Sequence, residues 1–390
     1  LAGGAAAAVR QARVARAERA EAERRFGEVR RLANALLTDV HDAVEPLPGS
    51  TPARELVVRR SLEYLDRLRR EAAAGAGDPA LLREVATAYD RVGRIQGNSY
   101  YNHLGNTAGA TASYRQALAI RTGLAARAPN DPAALADLAE AHTGVGDMHY
   151  TANALREAQA SYRRALALRE RVAAARPGDR DARLALGVAL MRLADVTGMD
   201  GYPNLGDVPG AVALYRRARD VTAPLAAARP GDDEAAQHLA TALEHLGLLE
   251  RLTGDLPAAI RDGERALATQ RRLAALAPAN ASHRANAVAA ALTLRYAYVD
   301  AGRTADALAL SRAGAAAMAE QAAADPRNAY LRRSLAAQLA ALSRDELAAG
   351  GAAAARAAAE QAFGISRALR AADPRSVEHR RDVGQALHLA

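Results

Sequence analysis

Along most of this chain apolar residues recur three and four positions apart, the spacing that gives an α-helix one buried face. Phe26, Val29, Leu32, Leu36, Val40 and Val44 make one such stripe. The pattern is interrupted at regular intervals. In LALRERVAAARPGDRDARLALG, Leu166 to Gly187, good helix formers stand on both sides of Pro177 and Asp179. Proline cannot continue the preceding helix, because it lacks the amide hydrogen and its ring clashes with the previous turn. The same break stands at Pro129, Pro177, Pro230, Pro278, Pro326 and Pro374, successively 48, 53, 48, 48 and 48 residues apart. Two residues beyond each proline is Asp131, Asp179, Asp232, Asn280, Asn328 or Ser376. Each has a side-chain oxygen that can accept from an unpaired amide at a helix start, worth about 1 kcal/mol per helix. The breaks are therefore joints between repeated units.

Each interval holds two helices. In one, the pattern predicts helix A from about Pro132 to Thr151 and helix B from about Leu155 to Arg176. The turn between them carries a glycine or a small polar residue: Asn153, Gly254, Gly302, Gly350. Helix A has a glycine at Gly93, Gly146 and Gly247, and helix B an alanine at Ala110, Ala158, Ala211, Ala259, Ala307 and Ala355. A small residue recurring at one place in a unit is a packing requirement where helices cross. The two 53-residue intervals match each other: YNHLGNTAGATASYRQA from Tyr101 parallels YPNLGDVPGAVALYRRA from Tyr202. Their extra residues lie between helices A and B. This loop edge, with Tyr101, Asn102, Tyr202 and Asn204, is open to two readings. It is a recognition edge, or a turn that packs Leu104 and Leu205.

Upstream of the joints, EPLPGSTP ends the stripe helix, and a second helix is predicted from about Pro52 to Ala74, with Pro52 at its first position after Thr51. Residues 10–46 read as a connector helix, 47–77 as a capping helix and 78–390 as the repeat array, of about six repeats plus a final unpaired helix in SVEHRRDVGQALHLA. Leu1 to Val9 is apolar but far short of the ~20 residues that span a bilayer.

Composition narrows the chemistry. Half of the 390 residues are hydrophobic but only 4% are aromatic, and alanine and leucine supply most of the apolar mass. Few residues favour strands. Cysteine is absent, which excludes disulfides and thiolate metal sites. All 52 basic residues are arginine, so neither a phosphate-binding loop nor a kinase active site can find its lysine here. The net charge of +8 is spread over basic and acidic residues that interleave along helices, the pattern of solvated faces with i,i+4 pairs rather than of a nucleic-acid footprint. His142 and His149 are seven apart, as are His238 and His245, which is not the i,i+4 spacing of a zinc pair. No Gly-x-Ser-x-Gly motif occurs, and the EHRRD stretch at Glu378 to Asp382 lies in an array helix with no lysine or glycine-rich loop to serve. No catalytic residue, metal site or cofactor is expected.

Val145–Leu166, VGDMHYTANALREAQASYRRAL, and Leu246–Leu267, LGLLERLTGDLPAAIRDGERAL, resemble the tetratricopeptide pattern. Gly146 or Gly247 matches its helix A glycine, Ala158 or Ala259 its small helix B residue, Tyr162 the following aromatic, and Ala165 or Ala266 the second small residue. The unit departs from the family in lacking tryptophan, in placing Ser311 and Ala359 where the aromatic belongs, and in its length of mostly 48 against ~34. The excess is two heptads, which leaves each buried face nearly in phase. The resemblance implies an all-α, right-handed α-solenoid of antiparallel helix pairs. It also implies that the A helices line a concave groove for a protein or peptide partner, with Arg94, Thr143, Asp147, Tyr150, Asp195, Glu244, Arg251, Tyr296 and Arg344 facing it.

A wider resemblance covers nearly the whole chain. The order of residues 24–68 and 89–121 is similar to the C-terminal region of bacterial membrane-anchored serine/threonine protein kinases, in which a catalytic domain and a membrane helix precede tetratricopeptide repeats. It implies a non-catalytic sensory or regulatory scaffold, with Leu1 to Val9 the tail of a membrane helix and membrane contact only upstream of Arg10. It also implies repeats outside the cytoplasmic membrane, whereas the arginines after the apolar tail argue for the inside. The alternatives are a free-standing adaptor and an oligomerisation module that forms a homodimer by pairing residues 26–44 between protomers.

Overall fold

A computed structural model describes residues 51–74, 78–98, 104–229, 231–278, 280–324, 326, 328–372 and 383. The stretches 1–9 and 10–46, the Phe26–Val44 stripe, Tyr101, Asn102, and Ser376–Ala390 apart from Val383 lie outside these residues. Among the described residues there are thirteen α-helices and no strand, arranged in two compact units, Leu1–Pro177 and Gly178–Ala390. Within each unit the architecture is the all-α, tetratricopeptide-like solenoid of stacked antiparallel helix pairs.

In the first unit α1 (Thr51–Ala74) packs on α2 (Pro79–Gly97), and α2 pairs with α3 (Thr107–Arg127). The next pair, α4 (Pro132–Thr151) and α5 (Leu155–Ala175), packs through α4 on α3. Val58, Leu65 and Leu68 on one face of α1 meet Val85, Tyr89 and Val92 of α2, and Ala117 of α3 closes this cluster. The second unit has four pairs: α6 (Arg180–Gly198) with α7 (Val208–Ala228), α8 (Asp233–Leu252) with α9 (Leu256–Leu276), α10 (Ala281–Asp300) with α11 (Thr304–Ala324), and α12 (Ala329–Ala348) with α13 (Ala352–Ala372). One of its core clusters joins Leu184, Leu225, Leu239, Leu243 and Leu273 from α6, α7, α8 and α9. All six recurring helix B alanines are buried at 0–4% exposure, so a larger side chain there would separate the backbones.

The joints are built by the caps. Asp78, Asp131, Asp179, Asp232, Asn280 and Asn328 each accept from a backbone amide of the helix that follows, at 2.9–3.3 Å. The short turns after α4, α8, α10 and α12 share one geometry. Asn153, Gly254, Gly302 and Gly350 hold left-handed φ of 56°, 85°, 70° and 80°. In each, the next amide reaches back to a helix carbonyl, Ala154 to His149 at 2.8 Å and Arg303 to Tyr298 at 2.8 Å for example, as a glycine-type helix stop requires.

The two long turns differ. After α2 the chain doubles back, Leu104 donating to the Ile95 carbonyl and Asn106 to that of Gln96 at 2.9 and 2.7 Å. After α6, Leu205 and Asp207 repeat the same bonds to Val196 and Thr197 at 3.0 and 2.9 Å. The returning backbone passes over Gly97 and Gly198. A Cβ at Gly97 would stand 2.8 Å from the Thr107 nitrogen, and one at Gly198 would collide with the Asp207 carbonyl. Asn106 and Asp207 then cap α3 and α7 by accepting from the amides of Gly109 and Gly210, at 2.9 Å each.

Candidate partner-binding surface

The first helix of each pair forms one layer of its unit. In the second unit α8, α10 and α12 are linked along this layer by side-chain contacts. Thr293 reaches toward Glu244 at 3.5 Å, Arg251 donates to Asp300 at 2.8 Å, and Arg295 pairs with Asp345. The Arg251 guanidinium also lies 5.6 Å from the Tyr296 ring centroid, and that of Arg295 lies 5.2 Å from it. Both guanidiniums lie within cation–π range of the ring. Beside this cluster, large apolar side chains stand in solvent on the last turns: Tyr296 at 40% exposure, Val299 at 45% and Leu347 at 65%. Arg344, also exposed, lies one turn before Leu347.

The groove residues expected from the sequence fall into two groups. Arg251, Tyr296 and Arg344 lie on this surface. Glu244, on the same layer, is half-buried, and burial pushes its carboxyl up to about 7 against the pull of the Thr293 hydroxyl. Of the others, Asp147 and Asp195 are drawn toward the second helix of their pair. Asp147 is buried and accepts from the Tyr162 hydroxyl at 2.8 Å and from Asn98 Nδ2 at 3.0 Å. Asp195 accepts from the Tyr215 hydroxyl. Thr143 turns its hydroxyl onto the Ala139 carbonyl of its own helix at 3.1 Å, and Arg94 and Tyr150 are half-buried in the first unit.

The loop residues also divide. Asn204 builds the turn: its Nδ2 donates to the carbonyls of Met199 and Tyr202 at 2.9 and 2.8 Å, and its Oδ1 accepts from the Gly206 amide at 2.7 Å. Leu205 stays partly exposed, whereas Leu104 packs against the α1–α2 core. Tyr202 is 56% exposed, with its ring centroid 6.4 Å from that of His245.

Val299 and Leu347 were not singled out by the sequence. The signal was present, since Arg251, Val299 and Leu347 occupy one position of successive repeats, 48 residues apart. A layer that joins arginine forks, a tyrosine and exposed aliphatic side chains suits a polypeptide carrying carboxylates and apolar groups. In the first unit a cleft of about 420 Å³ is lined by Glu55, Arg59, Glu63, Asp66, Gln96 and Asn106, among others. Among the described residues no cluster of His, Asp or Glu could hold a metal ion, and no helix is long and apolar enough to cross a membrane.

No family model matches the chain, and no curated protein matches it. Solved structures do. BtubC (BKLC) from P. vanneervenii is 19% identical, with 67% of this chain and 91% of that one covered at a TM-score of 0.50. A thermophilic TPR protein from Thermus thermophilus is 18% identical, covering 65% of this chain and 98% of its own, at a TM-score of 0.29. Aspartyl phosphate phosphatase F from Bacillus subtilis is 14% identical, covering 93% and 89%, at a TM-score of 0.45. The first likeness is one of fold.

Proposed function

We propose that this chain is a non-catalytic protein-interaction scaffold whose A-helix layer in the second unit binds a segment of a partner protein. The observation that carries this reading is the row Tyr296, Val299 and Leu347, left in solvent beside Arg251 and Arg344. An aromatic ring and aliphatic side chains flanked by guanidinium forks match a segment with large apolar residues and an acidic residue placed to meet Arg344. The test is selection of a displayed library of random peptides on the whole chain. Selected peptides are expected to be rich in Asp, Glu and large apolar residues, and to bind at least tenfold more weakly to Tyr296→Ala and Arg344→Ala. Equal binding to the variants would move the site elsewhere.

The finer reading is a sensory or regulatory region of a bacterial receptor-like serine/threonine kinase, membrane-anchored through a segment before Arg10. It is supported by the order of residues 24–68 and 89–121. Sequencing the coding DNA upstream of Leu1 tests it. A reading frame that continues through a membrane span to a glycine-rich loop, a strand lysine and a catalytic loop supports it, and a start codon directly before Leu1 makes the chain a free-standing adaptor. Pairing through the Phe26–Val44 stripe predicts a dimer in light scattering that becomes a monomer when the chain begins at Thr51.

A further inference from the structure

His245 on α8 meets a chain of polar groups at the seam with α6 and α7. Its Nδ1 lies 2.8 Å from the Tyr215 hydroxyl of α7, and that hydroxyl donates to Oδ1 of Asp195 on α6. The imidazole and the carboxylate are themselves 3.8 Å apart, both about one-fifth exposed. A phenol has one proton. With that proton given to Asp195, the bond to His245 closes only if Nδ1 carries a hydrogen and donates it to the Tyr215 oxygen. Nε2 is then the bare nitrogen, with no hydrogen-bond partner among the described residues, on a side chain that keeps about one-fifth of its surface in solvent. Beside it stands the exposed ring of Tyr202, at 45° to the imidazole plane.

The groups that face His245 are few. Asp195 comes from α6, with Arg192 of that helix acting on the carboxylate. Tyr202 comes from the loop and Tyr215 from α7. Among the described residues α9 and α10 bring no charged group to it. Burial holds the imidazole below its usual range and Asp195 opposes that, while burial pushes the Asp195 carboxyl up against the pull of His245, Tyr215 and Arg192. Protonation of His245 adds its hydrogen at Nε2 and leaves the Nδ1–Tyr215–Asp195 chain intact. The helices keep their contact while Nε2 changes from neutral acceptor to cationic donor.

We infer that His245 is a pH-gated recognition point beside Tyr202, accepting a hydrogen bond from a backbone N–H of a bound partner segment through Nε2 and losing it when the ring is protonated. This deepens the proposed scaffold function and rests on it. The switch works on the bound segment, not on the fold.

The experiment is nitrogen-15 NMR of the whole chain labelled at histidine, with His245 assigned by its loss in His245→Gln. The expected result at pH 7.5 is the Nδ1–H tautomer with bare Nε2, protonation at Nε2 alone on acidification, and a change toward the Nε2–H tautomer in Tyr215→Phe. An Nε2–H tautomer in the wild type, or a tautomer indifferent to Tyr215→Phe, overturns the inference. If Tyr215→Phe does not fold, Asp195→Asn serves. Loss of the anion moves the His245 titration to lower pH if the chain exists, and an unmoved titration overturns it. Arg344→Ala leaves these signals unchanged, so a failure here is separable from a failure of peptide binding at the α8–α12 layer.

Discussion

Gly146 on α4 faces the ring of Tyr162 on α5, and a Cβ on the glycine would stand 2.6 Å from Cε1 of that ring. The ring is held from its other end by the hydroxyl's bond to Asp147, so it has no room to retreat. Gly146→Ala is expected to destabilise the chain by about 1–3 kcal/mol through overpacking. Gly123, on α3 of the same unit, has open space where its Cβ would be. Gly123→Ala is expected to stabilise by about 0.5–1 kcal/mol, because alanine is the better helix residue. Urea unfolding of the two variants gives opposite shifts in midpoint if the contact rather than helix propensity governs Gly146.

Where the helix B tyrosine is replaced by Ser311, the helix A glycine is replaced by Arg295. The guanidinium fills the space, donating to Ser311 Oγ at 2.9 Å and to both Asp345 oxygens at 2.5–2.6 Å, with Arg295, Ser311 and Asp345 all buried. Arg295→Met leaves a buried carboxylate with a single hydroxyl for support and is expected to cost about 3–5 kcal/mol. The double variant Arg295→Met with Asp345→Leu removes both charges and is expected to recover most of that loss, a coupling that denaturant titration of the four-member cycle measures directly.

Glu244 makes stability depend on pH. Its carboxyl titrates at about 7 in the folded chain against an ordinary value of 4.5. A raised folded value means the native state favours the neutral acid. The contribution is therefore fully present below pH 4.5 and lost as pH rises from 4.5 to 7. Glu244→Gln is expected to match the wild type at pH 4.5 and to exceed it by about 2–3 kcal/mol at pH 8. Unfolding midpoints for both proteins across that range check the prediction. A difference that stays constant with pH refutes it.

The left-handed turns give a smaller effect. Asn153 holds φ 56° where three sister turns have glycine. Asn153→Gly is expected to be neutral or mildly stabilising, and Gly302→Ala to destabilise by about 1 kcal/mol, since a Cβ is disfavoured at positive φ. Thermal unfolding of the pair separates the two.

Much of this architecture was legible in the residues. An oxygen-bearing cap two residues after a proline marks the joints at Asp131, Asp179, Asp232, Asn280 and Asn328, the helix pair Pro132–Thr151 and Leu155–Ala175 follows from its apolar spacing, and the left-handed turn positions are visible as glycine or asparagine. The interior polar network was not. The 3.6 period shows which side of a helix is buried, but not that the Tyr162 and Tyr215 hydroxyls would draw Asp147 and Asp195 inward, because that depends on how far a ring on the second helix reaches across the pair. Nor does a buried arginine announce itself. Arg295 is interpretable only beside Ser311 and Asp345, which supply the space and the charge that make its burial tolerable.

Gly97 and Gly198 sit where the long turns fold back over the end of a helix, and the same repeat position holds Tyr150, Arg251, Val299 and Leu347 wherever the turn is short. The position is thus a mutually exclusive choice. A repeat either displays a side chain there or lets the backbone cross, never both. Lengthening the turn after α10 would require erasing Val299, and any graft that restored a side chain at Gly198 would evict the loop that carries Tyr202. Diversification of such a chain is confined to paired changes, a residue at the helix end traded for five in the connection.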